Sequence, residues 1–121
     1  MFIGILTALL AAAIVAVLII TLDIIFDAFE KIKNNNGDTA VAVEAQDLIS
    51  KAMNEAMNEA DKTSLSQLRK KAGAKGKVVA PVKDGKVVKE KLTIISSNKQ
   101  DEETQELMDK NDGVLLVDLF N

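Results

Sequence analysis

Residues 1–22, MFIGILTALLAAAIVAVLIITL, carry no charged side chain. Aliphatic residues, Met1 and Phe2 fill the run, interrupted only by Gly4, Thr7 and Thr21. At about 1.5 Å of rise per residue, a helix of this length reaches roughly 32 Å, the thickness of the hydrocarbon core of a bilayer. A lone segment in lipid satisfies its own backbone only as a helix. The run therefore reads as a transmembrane helix, with Phe2, Leu10, Val15, Leu18 and Leu22 as membrane-anchoring residues. The competing reading, a buried core helix, rarely needs so long an uncharged run. A cleaved signal peptide would need a basic leading region, an apolar stretch of roughly 7–15 residues and a small-residue cleavage site after it. Nothing basic precedes this run, and Ala11-Ala12-Ala13 lies in its middle, so the anchor is expected to be retained. Lys31 and Lys33 follow it, which by the positive-inside rule directs the C-terminal part to the cytoplasm.

The helix is expected to continue to Lys33 as an amphipathic extension. Phe26 and Phe29 then sit at the membrane interface, with Asp23, Asp27 and Glu30 on another face. The organisation is thus a transmembrane helix with its extension at 1–33, a linker at 34–37 and a small extramembrane α+β region at 38–121. In that region Asp38 or Thr39 caps a helix to about Ala60, with Val41, Ala45, Leu48, Ile49, Ala52, Ala56 and Ala60 as its apolar stripe. Ser64 and Gln67 form a capping-box pattern for a short helix ending near Gly73. Two Val-rich runs flank Asp84-Gly85, a hairpin-turn signal, and Pro81 makes the first an edge strand. A short acidic helix around Asp101–Lys110 and a turn at Asn111-Asp112-Gly113 follow. Val114–Phe120 is nearly continuous in apolar residues. It reads as a strand completing the hairpin sheet or, alternatively, as a plug docking on another subunit through Val114, Leu116 and Phe120. The fold class is a membrane protein: a single N-terminal transmembrane α-helix followed by a small, elongated α+β tail of helices plus a β-hairpin. Beyond Phe29 the only aromatic residue is Phe120, so the tail is expected to be elongated or completed by partners.

Composition removes most catalytic chemistry. Without His or Cys, the common nucleophile–base pairs and the usual zinc, haem and iron–sulfur ligands are missing. Ser66 and Lys70 stand at i, i+4, but no motif surrounds them. GAKGK at 73–77 lacks the leading Gly and closing Ser or Thr of a phosphate loop. A calcium loop starting at Asp109 would require Gly at 114, which is Val, and an acid at 120, which is Phe. No enzyme activity, cofactor, metal or specific nucleic-acid binding is expected.

Charge is segregated. Residues 23–61 hold nine acids against Lys31, Lys33 and Lys51; residues 62–91 hold ten bases against Asp84 and Glu90; residues 92–121 hold seven acids against Lys99 and Lys110. Such a layout suits neighbours docking in register, within one chain or between copies. The cluster Arg69, Lys70, Lys71, Lys75 and Lys77 is a solvated or acid-paired face, or a contact for anionic lipid or an acidic partner.

The charge-free Met1–Leu22 anchor and the aromatic-poor, Cys-free tail give a plan that resembles the membrane-associated minor structural proteins of icosahedral bacteriophages with an internal membrane. The resemblance is one of architecture and carries no site residues. It implies a non-enzymatic connector between a bilayer and a neighbouring protein layer, in a virion membrane. The alternative is a single-pass accessory or adaptor subunit in a bacterial inner-membrane complex, with Gly4, Ala8 and Ala12 as a small-residue packing face. Either implies a lipid bilayer, other subunits of an assembly and self-association as partners.

Overall fold

The computed structural model describes residues 5–32 and 39–118. The charge-free run does not form one helix. It divides into a short helix α1 (Leu6–Ala11), a strand β1 (Ala13–Ala16) and a loop leading to α2 (Leu22–Ile32). Ala12 takes φ −67° and ψ 144°, which ends α1. The residues that follow, Ile14, Val15 and Val17, are β-branched and favour a pleated strand. No helix among the described residues is long and apolar enough to cross a membrane. This corrects the transmembrane, single-pass fold expected above. An uncharged apolar run satisfies a lipid-facing helix, but it equally satisfies elements that feed a protein core. Here Ile5, Leu9 and Ile20 are fully buried in such a core.

The remaining elements are β2 (Thr39–Glu44), α3 (Ala45–Glu55), α4 (Glu59–Ala72), β3 (Lys77–Lys83), β4 (Lys86–Val87), a 3-10 turn at Lys89–Lys91, β5 (Thr93–Ser96), α5 (Glu102–Lys110) and β6 (Val114–Asp118). They build a mixed sheet of order β1-β5-β3-β2-β6, with β4 paired to the end of β3. β1 runs parallel to β5, and the β5–β3, β3–β2 and β2–β6 pairs are antiparallel. Side chains alternate across the sheet, so each face carries its own core. On one face Val41, Val43, Val78, Ala80, Val82 and Ile94 meet α1, α3 and α4. On the other, Ala40, Ala42, Val79, Ile95 and Leu115 meet Ile25, Phe29 and Ile32 of α2 and Met108 of α5. The result is a three-layer α/β/α arrangement whose core is aliphatic rather than aromatic. The elongated tail with too little core is therefore also corrected: residues 5–32 belong to the same two cores as the rest.

Three local differences have physical reasons. The helix expected from 38 begins only at Ala45, because Thr39-Ala-Val-Ala-Val43 supplies a strand buried on both faces in the middle of the sheet. Ala45, Leu48, Ile49 and Ala52 of the expected stripe do face the core, and α4 packs against α3. Pro81 lies on an interior strand, not an edge. It is tolerated where the outer neighbour of β3 changes from β5, which ends its pairing at Val79, to β4, which starts at Val82. Its carbonyl accepts from Val88 N–H at 2.9 Å on that side, so the missing donor faces the gap between the two strands. The second Val-rich run forms only the short β4, closed by a turn with Asp84 at φ 53° and Gly85 at φ 76°. The linker expected at 34–37 lies outside the described residues, as do Phe2, Gly4 and Phe120.

Candidate functional site

The parallel pair β1/β5 gives the sheet one end with distinctive chemistry. Both strands end there, and each feeds a loop and then a helix: Val17–Ile19 before α2, and Ser97–Gln100 before α5. In open α/β sheets, ligands bind outside the carboxyl ends of parallel strands. A groove of about 590 Å³ occupies this place, lined by Ala16–Ile19, Ser96–Lys99, Gly73 and the exposed Lys70 and Lys71 at the end of α4. Ser97 ties the two loops together. Its hydroxyl lies 3.1 Å from the Leu18 carbonyl and 3.0 Å from the Lys99 carbonyl, and accepts from Lys99 N–H at 3.1 Å. Ile20 N–H donates to Lys99 and Asp101 N–H to Ile20, clamping the starts of both helices.

These bonds decide what the groove can take. The N–H groups of Ser97, Lys99, Ala74 and Lys75 all donate within the protein, to Ala72 O, Ser97 Oγ, Asn98 Oδ1 and Ser97 O. Those four N–H groups are therefore not free to form a nest for a small oxyanion. What remains is three ammonium groups, Lys70, Lys71 and Lys99, beside an apolar loop on which Leu18 is 93% exposed. Among the described residues no group of three or more acids could hold a metal.

The apolar surface continues along β1. Ile14 is 41% and Val15 46% exposed, with Leu10 and Ile19 similar, and the outer edge of β1 has no strand partner among the described residues. A cleft of about 200 Å³ runs beside it on the α2 face, lined by Val15, Val17, Ile24, Ala28, Ile32, Thr93 and Ile95 and rimmed by Asp27 and Lys31. Edge strands are ordinarily protected by Lys, Pro or a covering element. Ala13-Ile-Val-Ala16 has none of these on the strand.

The opposite edge, β6, is open in the same sense. Val114 is 37% and Leu116 52% exposed, and among the described residues β6 pairs only with β2. Its first residue lies beside a predominantly acidic set: Glu44, Asp47, Asp109 and Asp112 line the clefts around Gly113, with Lys51 and Lys75 among them.

The structure redistributes the residues singled out from sequence. Of the anchor residues, Leu10 is exposed on α1, Val15 and Leu18 lie at the exposed β1 edge and its loop, and Leu22 is half-buried at the start of α2. Phe29 is buried, Phe26 is partly exposed, and their rings stand 6.0 Å apart. Ala8 and Ala12 pack partly buried against the first core. The basic cluster is dispersed. Arg69 Nη2 donates to Ser50 Oγ at 2.7 Å, Lys75 Nζ to Gln105 Oε1 at 3.3 Å, and Lys77 is enclosed against Glu44. Only Lys70 and Lys71 reach the groove. Lys99, Ile14, Ile19 and Asp47 were missed. Thr93-Ile-Ile-Ser-Ser-Asn-Lys99 before a capped helix was the available signal, a strand–loop–helix pattern matching residues 13–32. A scan against protein-family models found no match, and comparisons with curated proteins and with solved structures found none either.

Proposed function

We propose that this chain is a non-enzymatic subunit of a protein assembly that joins a neighbouring protein by strand addition at the open β1 edge. The observation that carries the reading is that edge itself: four residues without charge or proline, exposed, and continuous with Leu18 and the apolar cleft along α2. An added strand satisfies the outer N–H and C=O groups of β1, and its side chains fill the cleft. The absence of His and Cys, and the internally bonded loops at the sheet end, favour contact over catalysis. The connector role implied by the phage resemblance is retained as attachment to a protein layer, without a spanning helix.

The test is a photo-crosslinking amino acid placed at Val15 in the full chain in cells, with the same group at exposed Lys89 as control. A discrete adduct at Val15 that is absent at Lys89 and lost with Ile14→Lys is expected. No Val15-specific adduct refutes the function.

A further inference from the structure

We infer that the neighbour is a second copy of this chain, whose β6 edge adds antiparallel to β1 and continues the sheet head to tail. This rests on the strand-addition reading above and names its partner.

Strand polarity comes first. With β1 and β5 pointing one way, β3 runs opposite, β2 with β1, and β6 opposite again. A copy displaced along the sheet therefore presents β6 antiparallel to β1, the pairing most readily formed by an added strand.

Register comes second. Ile14 pairs with Ile94, Ile94 with Val78, Val78 with Val43, and Val43 with Val114. A single row of β-branched side chains thus crosses the sheet from one open edge to the other. A copy docked at the same level places its Val114 opposite Ile14 and extends that row without a step. Both residues are exposed in the isolated chain.

Charge comes third. Lys70, Lys71 and Lys99 flank the carboxyl end of β1. The clefts at the start of β6 hold Glu44, Asp47, Asp109 and Asp112 against Lys51 and Lys75, so acids outnumber bases there. Val114 and Ile14 share a row, so both charge sets lie at the same end of the sheet, and a docked copy brings acids beside bases. The reverse orientation, or pairing of two like edges by a two-fold axis, loses this match. The interface is heterologous, so a docked pair retains one free β1 edge and one free β6 edge.

The experiment is sedimentation of the purified full chain and of two edge-blocked variants, Ile14→Lys and Val114→Lys. Wild type is expected to form species larger than a monomer that grow with concentration and shrink as salt is raised. Each variant alone is expected to be monomeric. Their equimolar mixture is expected to give a dimer and nothing longer, because it contains one intact β1 edge and one intact β6 edge. Val15→Lys and Leu116→Lys provide a second pair, and far-UV melting shows whether each variant is folded. Dimerisation of Val114→Lys alone would mean β1-to-β1 pairing and overturns the proposal, as does a mixture of folded variants that stays monomeric. A monomeric wild type whose Val15 crosslinks to a different protein overturns this inference while leaving the strand-addition function standing.

Discussion

Lys77 and Glu44 face each other across the β2–β3 ladder, with Nζ 3.1 Å from Oε2, and the lysine has no solvent exposure while the carboxylate retains some. Nζ also donates to the Lys75 carbonyl at 2.6 Å. Burial pulls the ammonium below the usual lysine range, and the charge and hydrogen bond of Glu44 only partly oppose that. The two partners are therefore not equivalent. Glu44→Gln leaves a buried cation without its counter-charge and is expected to cost about 3 kcal/mol, the low end of values for a broken buried pair because Glu44 reaches water. Lys77→Met removes the buried charge and is expected to cost little. The sign with pH follows. Below its lowered folded pKa Lys77 is charged in both states and its burial opposes folding; that opposition is relieved as pH rises toward the unfolded value of 10.5. Urea midpoints between neutral and alkaline pH are expected to show this relief in wild type and not in Lys77→Met.

Gly73 ends α4 at φ 78° and ψ 167°, a conformation that L side chains rarely adopt. A Cβ there would lie 2.4 Å from the Ser97 carbonyl oxygen. Gly73→Ala is expected to destabilise the fold by roughly 1–3 kcal/mol from backbone strain alone. It is also expected to disturb amide protection at Ser97 and Lys75 before that of β2, which hydrogen exchange can resolve.

Leu9 is fully buried in the core beneath α1. Leu9→Ala is expected to lower unfolding free energy by about 2–5 kcal/mol. A membrane anchor at this position would leave the unfolding midpoint of the remaining chain unchanged, so chemical denaturation separates the two arrangements.

Asp101 caps α5, its Oδ1 accepting from Thr104 N–H at 2.9 Å. Thr104, through its side chain first and this backbone N–H second, holds the carboxyl below the ordinary value of 3.8. The stabilisation is fully present above that value and is lost as pH falls through the lowered one. A carboxyl titration by NMR is expected to find Asp101 more acidic than the exposed carboxylates, and Asp101→Asn is expected to flatten the acid limb of the melting temperature.

Local signals in the sequence were legible where a residue's own backbone demanded them. Asp84-Gly85 and Asn111-Asp112-Gly113 are turns with positive φ, and the acidic segment after Asp101 is a capped helix. The N-terminal run was not legible, because hydropathy reports that residues avoid water but not what they avoid it with. A lipid core and a protein core call for the same side chains. What divides the run, the strand register of Ala13–Ala16 on Thr93–Ser96, depends on a partner far along the chain. The open edges of the sheet were obscured for the same reason. Charges that lie far apart in sequence, such as Lys70 and Lys99, share a groove only once β5 lies beside β1 and α4 ends above it.

That distance has a consequence during synthesis. Ala13 waits for Thr93, eighty positions later, before its strand has any neighbour. At elongation rates of roughly 5–20 residues per second, the apolar leading segment stays unpaired for about 4–16 s after it has been made. For that interval the nascent chain presents a charge-free apolar segment while lacking the strand that will pair with it. Its fate is a race between ribosome-associated factors that capture apolar segments and the arrival of residues 93–96. Slowing translation within residues 20–90 would lengthen that exposure and favour capture without a single change in the sequence.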